Sequence, residues 1–119
     1  MTIHIVGQFS IASDNLAKFR KFVADSTAIV RQKEQGATLA YDFFADESDR
    51  SRFLIHEAFA DGDALAVHIK NLGTLLAIAH EIFENERTII IGDLPKATVE
   101  QFKSMNFLYH SYREPVSVL

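Results

Sequence analysis

The chain has no cysteine and no tryptophan among its 119 residues, only two prolines and five glycines, and no long apolar run. Each absence excludes something. Without cysteine there is no disulfide, no thiolate nucleophile and no Cys-based zinc or iron–sulfur site, and such a composition fits a reducing, cytoplasmic setting. Without an apolar stretch of about 20 residues there is no candidate membrane span. The N-terminus MTIHIVGQFS lacks the basic and long apolar regions of a secretory signal, so none is expected. Basic charge is also scarce. Lys and Arg total 12 against 16 Asp and Glu, a net charge of −4, and Arg20-Lys21 is the densest basic run. Phosphate binding wants a clustered basic face, so nucleic acid is not expected as a partner. Repeats, linkers and low-complexity segments are lacking as well.

What is present reads as one α+β domain over residues 1–119. Hydrophobic residues make up 48% and charged residues 24%, ordinary for a globular domain that buries its own core. Ile3 to Ile11 alternates, with Ile3, Ile5, Gly7, Phe9 and Ile11 on one side, and predicts a strand. Leu16, Phe19, Phe22, Val23, Ser26 and Val30 recur at helical spacing. They predict an amphipathic helix over 14–35, with Ser13 or Asp14 as its N-cap and Gly36 at its end. A hairpin follows, with strands over 38–45 and 52–60 joined by the polar loop 46–50. Leu39, Tyr41 and Phe43 should share one face of the first strand, and Phe53, Ile55, Glu57 and Phe59 one face of the second. Asp61 or Asp63 offers the cap of a helix over 64–71, Gly73 interrupts it, 74–84 continues it, and 87–92 is a further strand.

The order β-α-β-β-α-β is the split βαβ, or ferredoxin-like, arrangement: an antiparallel sheet with helices on one face. One sheet face is then left bare, and a homodimer is the expected cover. Beyond a core of residues 1–93, residues 94–119 add a helix–strand extension. Asp93-Leu94-Pro95 opens its helix with proline in the first turn. Val99, Phe102 and Met105 form the apolar stripe and Asn106 ends it. Phe107 to Arg113 alternates as a last strand, stopped by Pro115. The extension should cap a sheet edge, its own or the partner's.

Residues able to do chemistry concentrate in Phe53 to Asn71. Glu57 shares a strand face with phenylalanines and an isoleucine. His68, four residues after Ala64, three after Leu65 and four before Leu72, falls on the apolar side of the next helix. A carboxylate orienting an imidazole is a minimal proton-transfer device. It is equally a way to satisfy a buried histidine, and Glu57 has an alternative partner in the amides at the helix start, near 61–64. Tyr41 reads as a hydrogen-bonding wall or as an amphipathic core residue. His80 and Glu84 have helical i,i+4 spacing, but two ligands are too few for a metal, and none is expected. His4 and His56 lie off the main apolar faces, exposed or at a dimer face. His110 carries no signal.

These residues carry a family resemblance. Tyr41 in LAYDFF, Phe53, Glu57-Ala58-Phe59-Ala60-Asp61, and then Ala64-Leu65 and His68 in ALAVHIKN resemble the pattern of the antibiotic biosynthesis monooxygenase (ABM) domain, in the dimeric α+β barrel superfamily. The resemblance covers roughly the central third of the chain, and the flanking elements match in type. It implies a pocket in each protomer and, in the monooxygenase branch, oxidation of a small phenol or hydroquinone by dioxygen without metal, flavin or other cofactor. His68 would be the general base and Glu57 its orienter, with Tyr41, Phe43, Phe59, Leu72 and His80 binding substrate. The same barrel also hosts isomerases of small oxygenated metabolites and non-catalytic ligand-binding proteins, which stay open as alternatives. Heme degradation is set lower: the first strand offers Gln8 rather than asparagine, and Lys70 stands where a tryptophan would be expected.

Overall fold

The computed structural model describes residues 2–102 and 107–110. Met105, Asn106, Arg113 and Pro115, which the sequence assigns to the end of the last helix and strand, lie outside the described residues. The strands are β1 (Ile3–Ser10), β2 (Thr38–Ala45), β3 (Arg52–Phe59), β4 (Glu84–Ile91) and β5 (Phe107–His110). The helices are α1 (Leu16–Lys33), α2 (Gly62–Leu72), α3 (Leu75–Ile82) and α4 (Lys96–Gln101). The five strands form one sheet in the order β2-β3-β1-β4-β5. All neighbours are antiparallel except β4 and β5. This is the expected ferredoxin-like order, and β5 extends the sheet's own edge beyond β4.

Alternation decides which side of the sheet is covered. Along β1, Ile3, Ile5, Gly7 and Phe9 are buried while their neighbours are not. Register then carries that face across the sheet: Tyr41 lies opposite Glu57, Glu57 opposite Ile5, and Ile5 opposite Ile90. On this inward face two clusters form the core. One gathers Ile3, Ile5, Phe59, Leu65, Ile90 and Leu94. The other gathers Phe9, Ile11, Phe19, Ile55 and Ile82, with the Phe9 and Phe83 rings stacked at 3.8 Å between centroids. On the outer face Phe44, Ile89, Ile91 and Leu108 are exposed.

Several boundaries differ from the pattern. A 3-10 turn over Ser13–Asn15 precedes α1, which starts at Leu16, ends at Lys33 and is followed by Gly36 at φ +79°. Pro95 caps α4 from outside rather than sitting in its first turn. β4 begins at Glu84, inside the span expected to be helical, because the chain turns extended at Phe83. Three residues of β4 then span the step from Arg87 to Glu84 that two residues of β1 span from Gln8 to Ser10, and Asn85 takes φ +52°. That is a β-bulge. A second irregularity between Thr38 and Ala40 takes Leu39 off the face it was expected to share with Tyr41 and Phe43, and it is exposed.

Candidate active site

Three elements converge on His68. Asp61 caps α2, its Oδ1 accepting from the Ala64 amide at 2.8 Å, so the helix starts where Leu65, His68 and Leu72 turn inward together. β3 supplies Glu57 from the covered sheet face. α1 supplies Glu34, the residue just past its last turn, whose side chain is 1% exposed.

Glu34 is a hub of hydrogen bonds. Its Oε1 accepts from Thr38 Oγ1 at 2.6 Å and from His68 Nδ1 at 2.7 Å, and its Oε2 accepts from Asn71 Nδ2 at 3.1 Å. Burial works against the ionised carboxyl, but the bonds from Thr38, His68 and Asn71 outweigh it and hold Glu34 below its ordinary carboxylate value. An ionised Glu34 can only accept, so the proton on Nδ1 belongs to the imidazole. The other nitrogen, Nε2, is sealed from solvent and lies 3.2 Å from Glu57 Oε1. That is close enough for an ion pair, but the contact lacks the alignment of a hydrogen bond. Burial alone would depress His68. The Glu57 carboxylate, and after it Glu34, reverse the effect and raise its pKa above the usual histidine value. The rings of Phe59 and Tyr41 flank the imidazole, with centroids 4.9 Å and 5.3 Å away. Tyr41 is itself held un-ionised, first by burial and then by the Glu57 charge.

A cavity of about 190 Å³ lies against this pair, where the two core clusters meet. Its walls are mostly apolar, and Glu57, His68 and Tyr41 form one polar end.

The family model of the antibiotic biosynthesis monooxygenases matches residues 2–73, which hold Glu34, Tyr41, Glu57 and His68. The chain belongs to this family. Solved structures agree on the ABM fold. MupZ from Pseudomonas fluorescens is 19% identical, with a TM-score of 0.72 over 98% of this chain and 94% of that one. Rv0793 from Mycobacterium tuberculosis is 15% identical, with a TM-score of 0.67 over 82% and 99%. A conserved protein of unknown function from Bacteroides thetaiotaomicron is 25% identical, with a TM-score of 0.64 over 75% and 94%. No curated protein matches the chain in sequence.

Of the pocket residues the ABM resemblance implies, the structure places Tyr41, Glu57, His68, Leu72 and His80 on the cavity wall. Phe43 and Phe59 stand outside the lining. Phe43 packs edge-on against Tyr41, Phe19 and Phe22, and Phe59 is fully buried behind the imidazole. Glu84 starts a strand and does not share a helix with His80. No group of three or more metal-ligating side chains gathers among the described residues. His4 and His56 stack on the outer face with Nδ1 and Nε2 3.3 Å apart.

Glu34, which stands behind His68, is not among the expected residues, nor are Gly7, Glu86 and Thr88, which line the cavity. A signal for Glu34 existed. It continues the inward stripe of α1 at four-residue steps, after Ser26 and Val30.

Proposed function

We propose that this ABM protein is a cofactor-free monooxygenase that oxidises a small phenol or hydroquinone with dioxygen, with His68 as the general base. One observation carries the reading: a mostly apolar cavity is lined at one end by Glu57 and His68, and the imidazole Nε2 behind that wall has no well-directed hydrogen bond. A substrate hydroxyl that enters between Glu57 and His68 passes its proton to Nε2. Glu34 keeps the proton on Nδ1 and stabilises the imidazolium that forms, so the positioning role that the resemblance gives to Glu57 falls to Glu34, while Glu57 faces the proton-accepting Nε2. The resulting ring anion supplies the electrons to dioxygen. One oxygen atom enters the ring and the other leaves as water, so a hydroquinone becomes a hydroxyquinone. The apolar walls hold the ring and exclude water.

Oxygen uptake with a panel of hydroquinones tests this. The His68→Ala protein should lose nearly all uptake, and equal rates in both proteins would sink the assignment. An isomerase uses the same proton-holding pair, so turnover that persists without oxygen would replace the monooxygenase reading. A purely structural role for His68 is disfavoured by the cavity beside it.

The protein is further proposed to work as a homodimer through the outer sheet face. Phe44, Ile89, Ile91 and Leu108, exposed at 54%, 38%, 47% and 55%, share that face. Strands of eight residues, four abreast, give about 500 Å² in projection before side-chain relief, commensurate with the roughly 800 Å² that each partner buries in a stable interface.

A further inference from the structure

The cavity has a second polar end, distant from His68. Thr88 and Glu86 project from β4 into it, and the exposed His80 of α3 stands at its rim. Thr88 is 7% exposed, and its hydroxyl donates to Glu86 Oε1 across a long 3.4 Å, which leaves its lone pairs available as acceptors. The β-bulge at Asn85 leaves Glu86 and Thr88 on the inward face of β4. Bulges re-aim side chains in this way beside ligand sites.

Register fixes how far apart the two ends lie. Glu57 pairs with Ile5, and Thr88 pairs with Gly7, on opposite sides of β1. Two strand spacings across and two residues along give about 12 Å between the backbones of Glu57 and Thr88. Gly7 lies on the wall between the two ends. Glycine weakens a strand by roughly 0.5–1 kcal/mol relative to alanine, and nothing in the backbone of β1 asks for it. An alanine there would put a methyl group 3.1 Å from Ile55 Cγ2 and 3.7 Å from Thr88 Oγ1, between the two polar ends.

Resting on the functional reading above, we propose that the substrate is two-headed. It is an aromatic ring system with one hydroxyl at His68 and Glu57 and a second oxygen, at the opposite end, that hydrogen-bonds Thr88. The volume agrees. A cavity of roughly 150 Å³ accepts benzene, so about 190 Å³ takes one ring fully, while a second ring reaches toward the rim. Thr88 and Glu86 lie outside residues 2–73, the stretch that matches the family model.

Calorimetric titration under argon, without turnover, tests the proposal with 2,6-dihydroxynaphthalene and 2-naphthol. The wild type should bind the diol about 5–10-fold more tightly, the yield of one additional hydrogen bond. In Thr88→Val the ratio should collapse to about one, and in Thr88→Ser, which keeps the hydroxyl, it should persist. A wild type with no preference for the diol, a preference that survives in Thr88→Val, or no binding of either compound would each overturn it. Admitting air separates the two readings. A diol preference without oxygen uptake defeats the monooxygenase and leaves the two-ended site standing, whereas uptake with no diol preference does the reverse.

Discussion

Glu34 is the residue whose replacement should reveal most about the site. Its carboxylate serves three donors at 2.6, 2.7 and 3.1 Å, and its side chain is 1% exposed. Truncation to alanine leaves His68 Nδ1, Thr38 Oγ1 and Asn71 Nδ2 facing a gap. Removing one member of a buried ion pair costs about 3–5 kcal/mol, from a total that is only about 5–15 kcal/mol for a domain. Glu34→Gln is the sharper probe because it keeps the volume and one acceptor while removing the charge. Losing charge-assisted bonds should cost about 1–3 kcal/mol.

That cost should depend on pH in a definite direction. His68 is raised above 6.5, so its contribution to stability is complete below pH 6.5 and is lost as pH rises through its folded value. Glu34 is lowered from 4.5, so its contribution is complete above pH 4.5 and is lost as pH falls through its folded value. The two overlap fully only between these limits. Glu34→Gln removes the whole Glu34 contribution and part of that of His68, since Glu57 remains beside Nε2. Urea denaturation followed by circular dichroism, at about pH 5.5 and about pH 8.5, measures the difference from wild type. The deficit should be larger at the lower pH. A deficit equal at both, larger at the higher pH, or absent at the lower one would refute the pairing of Glu34 with a charged His68.

Three further outcomes are expected. Oxygen uptake should rise with pH to a midpoint above the ordinary histidine value, because only neutral His68 accepts a proton, and Glu34→Gln should move that midpoint down; a flat profile in kcat/KM would count against the base. Asp61→Ala removes the cap on α2 and should cost about 1 kcal/mol in thermal or urea melts, whereas an unchanged midpoint would mean another group caps the helix. Ile89→Lys, at the centre of the bare sheet face, should leave a monomer by sedimentation velocity if a second copy covers that face; a dimer of unchanged strength would place the interface elsewhere.

Much of this architecture was legible in the sequence because it rests on local periodicity. Alternation in β1 and β3 and the helical stripe of α1 are long enough to fix element type and face. Positions that break a period were not legible. Counting in twos assigns Leu39 to the covered face, and a one-residue irregularity puts it in solvent. Glu84 fitted a helical spacing from His80, but Asn85 in the left-handed region belongs to a bulge that begins a strand there. Glu34 illustrates a different limit. Its partner is 34 residues away, and the pairing depends on how α1 and α2 pack, which neither helix encodes alone. A polar residue at a helix end normally reads as solvated, and only its place in the stripe after Ser26 and Val30 marks it as inward.

The cavity is the hardest feature to read, because it is defined by what the inward face leaves unfilled. The resemblance implies Phe43 and Phe59 as pocket residues and both lie on the covered face of the sheet, yet one is taken up by Phe19, Phe22 and Tyr41 and the other by His68. Gly7, which alternation places on the same face, carries no side chain and so contributes a wall instead of a filler. Parity therefore names the residues that can face a site. Which of them do is decided by side-chain volume across neighbouring strands, and here that decision falls at the junction of Gly7, Ile55 and Thr88. If the junction sets ligand length, the Gly7→Ala protein should discriminate against long ligands more than it loses stability.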